Sequence, residues 1–219
     1  PVIGEDASDD IGGSGHPFLF EVGAFDNIQV SAVEITYWIG EDQTSILMES
    51  LGGSFRARVD LPQVVGDLQY AFTVTDSSGL CTKSQSVSVD IIDVDPPEIS
   101  VEHPGTATTG DPCVVTCHLV DNIALSDAWM EWGVDGLSER MTILLGGDGP
   151  FEVMVTVPHS MGTLHFVVRV VDSSGNDNSS SEMTVEIVDN DAPTLVEDLT
   201  EHTAYTGRDQ TIEVNVNDN

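Results

Sequence analysis

The chain has 219 residues and sets 38 Asp and Glu against 6 Lys and Arg, a formal net charge of −32. No basic stripe exists to displace counterions from phosphates or to meet an anionic bilayer, which excludes nucleic acid and membrane-surface docking. Hydrophobic residues make up 40%, too many for a disordered acidic tail, yet no run approaches the ~18 apolar residues of a spanning helix.

Gly is abundant and Lys83 is the single lysine, a composition suited to short strands and turns. The order of the chain is periodic. Pro1-Val2-Ile3 recurs as Pro97-Glu98-Ile99 and Pro193-Thr194-Leu195, with 97 − 1 = 193 − 97 = 96. Leu61-Pro62 recurs as Val157-Pro158, and Asp76-Ser77-Ser78-Gly79 as Asp172-Ser173-Ser174-Gly175. Asp26-Asn27, Asp121-Asn122 and Asp218-Asn219 form a further series, with a one-residue slip in the middle copy. Several anchors in one order at one period define tandem repeats over 1–96, 97–192 and the opening of a third over 193–219. This chain is expected to be a window of a longer array.

Within the middle repeat, strands are expected at 99–103, 113–119, 126–132, 140–145, 151–157, 166–170 and 183–188. Cys113-Val114-Val115-Thr116-Cys117-His118-Leu119 alternates apolar and polar, as does Met183-Thr184-Val185-Glu186-Ile187-Val188. No stretch sustains a helical period. About seven short strands per repeat imply an all-β fold of tandem Ig-like β-sandwiches.

Ala71-Phe72-Thr73-Val74-Thr75-Asp76-Ser77-Ser78-Gly79 followed by Asp93-Val94-Asp95-Pro96-Pro97 resembles the tandem Ig-like repeats of bacterial and archaeal surface proteins. In those repeats a strand ending in Asp-Ser-x-Gly precedes a last strand and a proline-containing linker. Val188-Asp189-Asn190-Asp191-Ala192-Pro193 is similar to the calcium-binding linkers of cadherins. The resemblance implies an extracellular or cell-surface protein.

The recurring acids fall in three places: the linkers (Asp93, Asp95, Asp189, Asp191), the loop after the second strand (Asp26, Asp121, Asp218) and the loop after the sixth (Asp76, Asp172). In an Ig-like unit all three meet at the end where the chain enters. Asp93, Asp95, Asp121 and Asp172 are therefore expected to converge, with Asn122 adding an amide oxygen. Clustered carboxylates repel one another, and a hard cation such as Ca²⁺ takes six to eight oxygens, so Ca²⁺ is the expected occupant. Turn formation is the competing role, since Asp and Asn also favour turns.

Cys113 and Cys117 lie four apart on one strand, ~13 Å at ~3.3 Å per residue, beyond disulfide reach. Their counterparts Phe18 and Val22 are apolar, which makes both cysteines core fillers; Cys81 stands alone. No His-Glu-x-x-His, Gly-x-Ser-x-Gly or phosphate-binding glycine loop occurs, and no enzyme activity is expected. Tyr37 aligns with Trp132 as a core aromatic, and an exposed sugar-binding aromatic remains an alternative. Asn178-Ser179-Ser180 is a glycosylation acceptor. The acidity beyond the linkers suits a saline habitat or a polymer that must not bundle. Two function classes follow: a structural stalk or filament that self-associates and is stiffened by Ca²⁺, or an adhesin for a glycan or protein. The spacer of a secreted enzyme is a third. An adhesin requires one divergent repeat with an exposed aromatic or basic pocket, and none is evident in the sequence.

Overall fold

The computed structural model describes residues 1–218 except 135, 137 and 148, so Asn219 of the third Asp-Asn pair lies outside the described residues. The chain divides into two compact units. The first comprises Pro1–Pro96, Asp121–Ala124 and Asp172–Asn176, and the second the remainder.

The first sandwich holds β1 (Val2–Asp6), β2 (Gly12–Gly13), β3 (Pro17–Phe25), β4 (Val30–Ile39), β5 (Asp42–Leu47), β6 (Glu49–Leu51), β7 (Ser54–Asp60), β8 (Gly66–Asp76), β9 (Cys81–Lys83) and β10 (Val87–Ile92). One sheet runs β1-β3-β7-β6, the other β2-β10-β8-β4-β5 with β9 on β8. Alternation decides what is buried: Phe18, Phe20, Val22 and Ala24 of β3 point inward against Ile35 of β4 and Leu68, Tyr70, Phe72 and Val74 of β8. Burying one such side chain stabilises by ~1.5–3 kcal/mol. Phe18, Phe20, Tyr70 and Phe72 form a chain of ring contacts with centroids 4.9–5.5 Å apart along its successive pairs. Tyr70 Oη donates to Asp6 Oδ2 at 2.9 Å; burial and the Asp6 charge push the phenol up to about 12.

The second sandwich holds β11 (Glu98–Glu102), β12 (Thr106–Thr108), β13 (Pro112–Val120), β14 (Leu125–Val134), β15 (Glu139–Thr142), β16 (Phe151–Thr156), β17 (Gly162–Asp172), β18 (Asp177–Ser179) and β19 (Met183–Val188). Its sheets are β11-β13-β16 and β12-β19-β17-β14-β15, with β18 on β17. The order repeats that of the first sandwich, and the matching strands start 112 − 17 = 95 and 162 − 66 = 96 residues apart. Cys113 and Cys117 are buried free thiols beside Val115 and Leu119, while Cys81 is free and exposed. β20 (Thr194–Asp198) and β21 (Val214–Asn217) pair antiparallel as a separate exposed sheet.

Among the described residues the two sandwiches hold ten and nine strands, where about seven each were expected. The added ones are mainly short: β2 and β12 pair parallel with β10 and β19, and β9 and β18 extend the hairpins off β8 and β17.

Candidate metal centre

Three of the aspartates come together within the first unit. Asp93, Asp121 and Asp172 each present a carboxylate oxygen, and these oxygens lie within 4.8 Å of one another. Asp93 stands just beyond β10, Asp121 at the end of β13 and Asp172 at the end of β17, so three backbone segments far apart in sequence deliver the set.

Each carboxylate divides its work. Asp121 Oδ1 accepts from the Ile123 and Ala124 N–H groups at 2.9 and 2.8 Å, closing the turn into β14. Asp172 Oδ1 accepts from Ser174, Gly175 and Asn176 N–H at 2.8, 2.6 and 2.8 Å. Asp93 Oδ1 accepts from Asp95 N–H at 3.2 Å. Turn formation thus occupies one oxygen of each, as aspartate chemistry favours. The other oxygens of Asp93 and Asp121 are buried without a hydrogen-bond partner, and so is Asn122 Oδ1. Asp93 is 5% exposed and Asp172 1%. A buried acceptor without a donor costs free energy, and two such carboxylate oxygens near a third carboxylate cost more.

Asn176 completes the arrangement. Its Nδ2 donates to Asp172 Oδ2 at 2.7 Å and reaches the Asp93 and Asp95 carbonyls at 3.2 and 3.3 Å. Burial raises the Asp172 pKa, but the Asn176 amide and the turn N–H groups outweigh it and hold the carboxyl below its ordinary value. Asn176 was not among the residues expected from the repeats. The matching position in the first repeat is Leu80, so a period search passes over it.

The three converging carboxylates offer only oxygen. This set fits a hard cation such as Ca²⁺ and lacks the nitrogen or sulfur ligands that zinc prefers.

The other expected residues take different partners. Asp95 turns to His16, whose Nε2 lies 2.9 and 3.0 Å from its two oxygens, and Asn122 Nδ2 approaches Asp95 Oδ2 at 3.4 Å. Asp26 Oδ1 caps Ile28 and Gln29, and its Oδ2 lies 3.2 Å from the Pro1 amino group. Asp76 caps Ser78 and Leu80 at 2.8 and 2.9 Å. Asp189 accepts from Thr109 Oγ1 at 3.3 Å and from Asp191 N–H. Among the described residues, Asp189, Asp191 and Asp218 join no such cluster. Trp132 packs against the second core, and Trp129 faces outward, its Nε1 on Glu131 at 3.0 Å and its ring under Arg140 at 4.0 Å.

No family model and no curated protein matches the chain. Solved structures resemble it in fold. Fibronectin(III)-like modules of CbhA from Clostridium thermocellum are 17% identical over 85% of this chain and 93% of theirs, with a TM-score of 0.33. The FN1–FN3 domains of chicken CNTN1 are 11% identical over 84% of this chain and 66% of theirs, at 0.35. The ICAM-5 D1–D4 ectodomain fragment is 15% identical over 90% of this chain and 56% of its own, at 0.45. At this distance the assignment to all-β sandwiches rests on the sheets described above.

Proposed function

We propose that the chain forms an extracellular or cell-surface tandem array, a stalk or filament stiffened by Ca²⁺ held by Asp93, Asp121 and Asp172. The observation that carries this reading is the pair of buried carboxylate oxygens without donors, on Asp93 and Asp121, within reach of the Asp172 carboxylate. Like charges this close disfavour joint ionisation unless a cation compensates them. Asn122 Oδ1 offers a fourth oxygen.

The sequence position of the ligands supports the mechanical role. Asp93 belongs to the segment leaving the first repeat, while Asp121 and Asp172 each begin a turn between strands of the second. A shared ion would crosslink the linker to those turns and remove its freedom to swing. The acids Asp189, Asp191 and Asp218 recur one repeat on. Repetition of the unit and of its ligands favours self-association into an extended assembly over a solitary active centre.

The test is thermal unfolding after EGTA treatment, with CaCl₂ or MgCl₂ added back. Ca²⁺ at 100 times its dissociation constant is expected to raise the Tm by roughly 5–10 °C. Mg²⁺, which demands a tight octahedron and sheds water reluctantly, is expected to do less. No calcium-dependent change in melting or in ion content would overturn the reading.

A further inference from the structure

We propose that the outer face of the β5-β4-β8-β10 sheet binds a neutral oligosaccharide, stacked on Trp38 and hydrogen-bonded by the amides of Gln43 and Gln69.

Tyr37 and Trp38 are neighbours on β4 and point to opposite sides. Tyr37 packs inward on Phe20, with ring centroids 5.6 Å apart, which leaves Trp38 on the outer face. The antiparallel register then builds a row. Trp38 stands directly opposite Gln43 on β5 and Gln69 on β8, and Gln69 stands opposite Ser88 on β10. Directly opposed residues project to the same face. The row crosses four strands, about 14 Å at ~4.8 Å per strand. Trp38 and Gln69 are partly exposed, Gln43 and Ser88 are exposed, and none of the four side chains has a hydrogen-bond partner among the described residues.

The next row, Ser45, Thr36 and Ala71, is built of small side chains. Thr36 and Ala71 share the outer face, which no second sheet covers, yet are 7% and 2% exposed. Trp38, two residues along β4 from Thr36 and on the same face, is the largest side chain of the row beside them. An indole ring face is a surface on which the C–H side of a pyranose stacks, and side-chain amides offer donor and acceptor together to its hydroxyls.

Charge selects the ligand. Acids make up 38 of 219 residues, yet this row holds none. The row beyond it sets Asp67 directly opposite Asp90. Those carboxylates and the net charge of −32 repel an anionic glycan, and the row itself offers no carboxylate to a cationic ligand. The second sandwich carries Gly133, His165 and Thr184 at the matching positions, so the face is peculiar to the first repeat. It supplies the divergent repeat with an available aromatic that adhesion requires. Trp129 offers no second platform, because Arg140 covers its ring.

The experiment is affinity electrophoresis of the whole chain through gels containing hydroxyethylcellulose, xylan or galactomannan, with polygalacturonate as the anionic control. Retardation is expected in at least one neutral gel, weakened about 10-fold or more by Trp38→Ala, which corresponds to one decade in the dissociation constant. Trp129→Phe and EGTA are expected to change nothing, which separates this face from the cation site. Gln43→Ala/Gln69→Ala alters only surface side chains and tests the same face if Trp38→Ala fails to fold. Free mobility in every neutral gel, retention only by polygalacturonate, or undiminished retention of the folded variants would overturn the proposal.

Discussion

Asp121 and Asp172 each commit Oδ1 to backbone N–H groups of a turn, and Oδ2 takes no part in the backbone bonds of either turn. Asparagine keeps a turn-capping oxygen and removes the charge, whereas alanine removes both. Asp121→Asn is therefore expected to retain most of its stability in EGTA and to bind Ca²⁺ ~10–100-fold more weakly, as measured by calorimetric titration. Asp121→Ala should also lose about 1 kcal/mol without calcium, through the lost turn bonds. Equal calcium affinity of Asp121→Asn and the unmodified chain would remove Asp121 from the ligand set. The gathering of recurring acids was legible in the repeats, but its membership was not. Asp95 shares every sequence property of Asp93, yet a contact with His16, 79 residues away, takes it elsewhere. The thiols make a second case. Burial pushes Cys117 up to about 11 and Cys113 upward. A folded pKa above the unfolded ~8.5 gives a contribution present below pH ~8.5 and lost as the pH climbs toward the folded value. The melting temperature should therefore fall between pH ~8.5 and about 11 more steeply than in Cys117→Val, which copies the matching Val22. At pH ~8, below the ordinary thiol pKa, iodoacetamide should label Cys81 alone in the folded chain, and mass spectrometry counts the adducts.

The turn after β17 shows how an element depends on one backbone conformation. Gly175 has φ 95° and Gly79, its counterpart after β8, φ 82°; open space surrounds the Cβ position at both. The constraint is thus conformational and not steric crowding. An L side chain in this region costs roughly 1–2 kcal/mol. Gly175→Ala is expected to destabilise by that amount in a urea titration, and to weaken calcium binding because Gly175 N–H also holds Asp172 Oδ1. A variant with unchanged midpoint and affinity would show the turn to be indifferent to that residue. The long strands were legible for the reason that makes them strands: β13, β17 and β19 bury every second residue, and alternation is a sequence property. β2 and β12 were not legible. Two or three residues carry no period, and their parallel pairing with β10 and β19 is set by where the preceding chain runs. Trp38 escaped for a related reason. Its neighbour Tyr37 occupies the core position, and only the register of β4 against β5 and β8 shows what surrounds the residue beside it.

At the scale of the whole chain, the charge of −32 poses a question the three aspartates alone do not answer. General repulsion among exposed carboxylates and specific repulsion within the Asp93, Asp121 and Asp172 cluster both oppose folding, and both yield to cations, but by different physics. Exposed charges respond to screening: the Debye length falls from ~10 Å at ~0.1 M to ~3 Å at ~1 M salt. The buried cluster, with Asp93 and Asp172 at 5% and 1% exposure, is screened far less and requires an ion in contact. Sodium chloride from about 0.1 to about 1 M should therefore raise the melting temperature of the unmodified chain and of Asp121→Asn by similar amounts. Millimolar CaCl₂, too dilute to shorten the Debye length appreciably, should raise only the former, and its increment should persist in ~1 M NaCl. Differential scanning calorimetry of both proteins at low and high NaCl, each with and without CaCl₂, separates the contributions. If NaCl alone reproduced the whole calcium increment, the acids would act as a diffuse surface charge, and the proposal of a calcium-stiffened chain would fail.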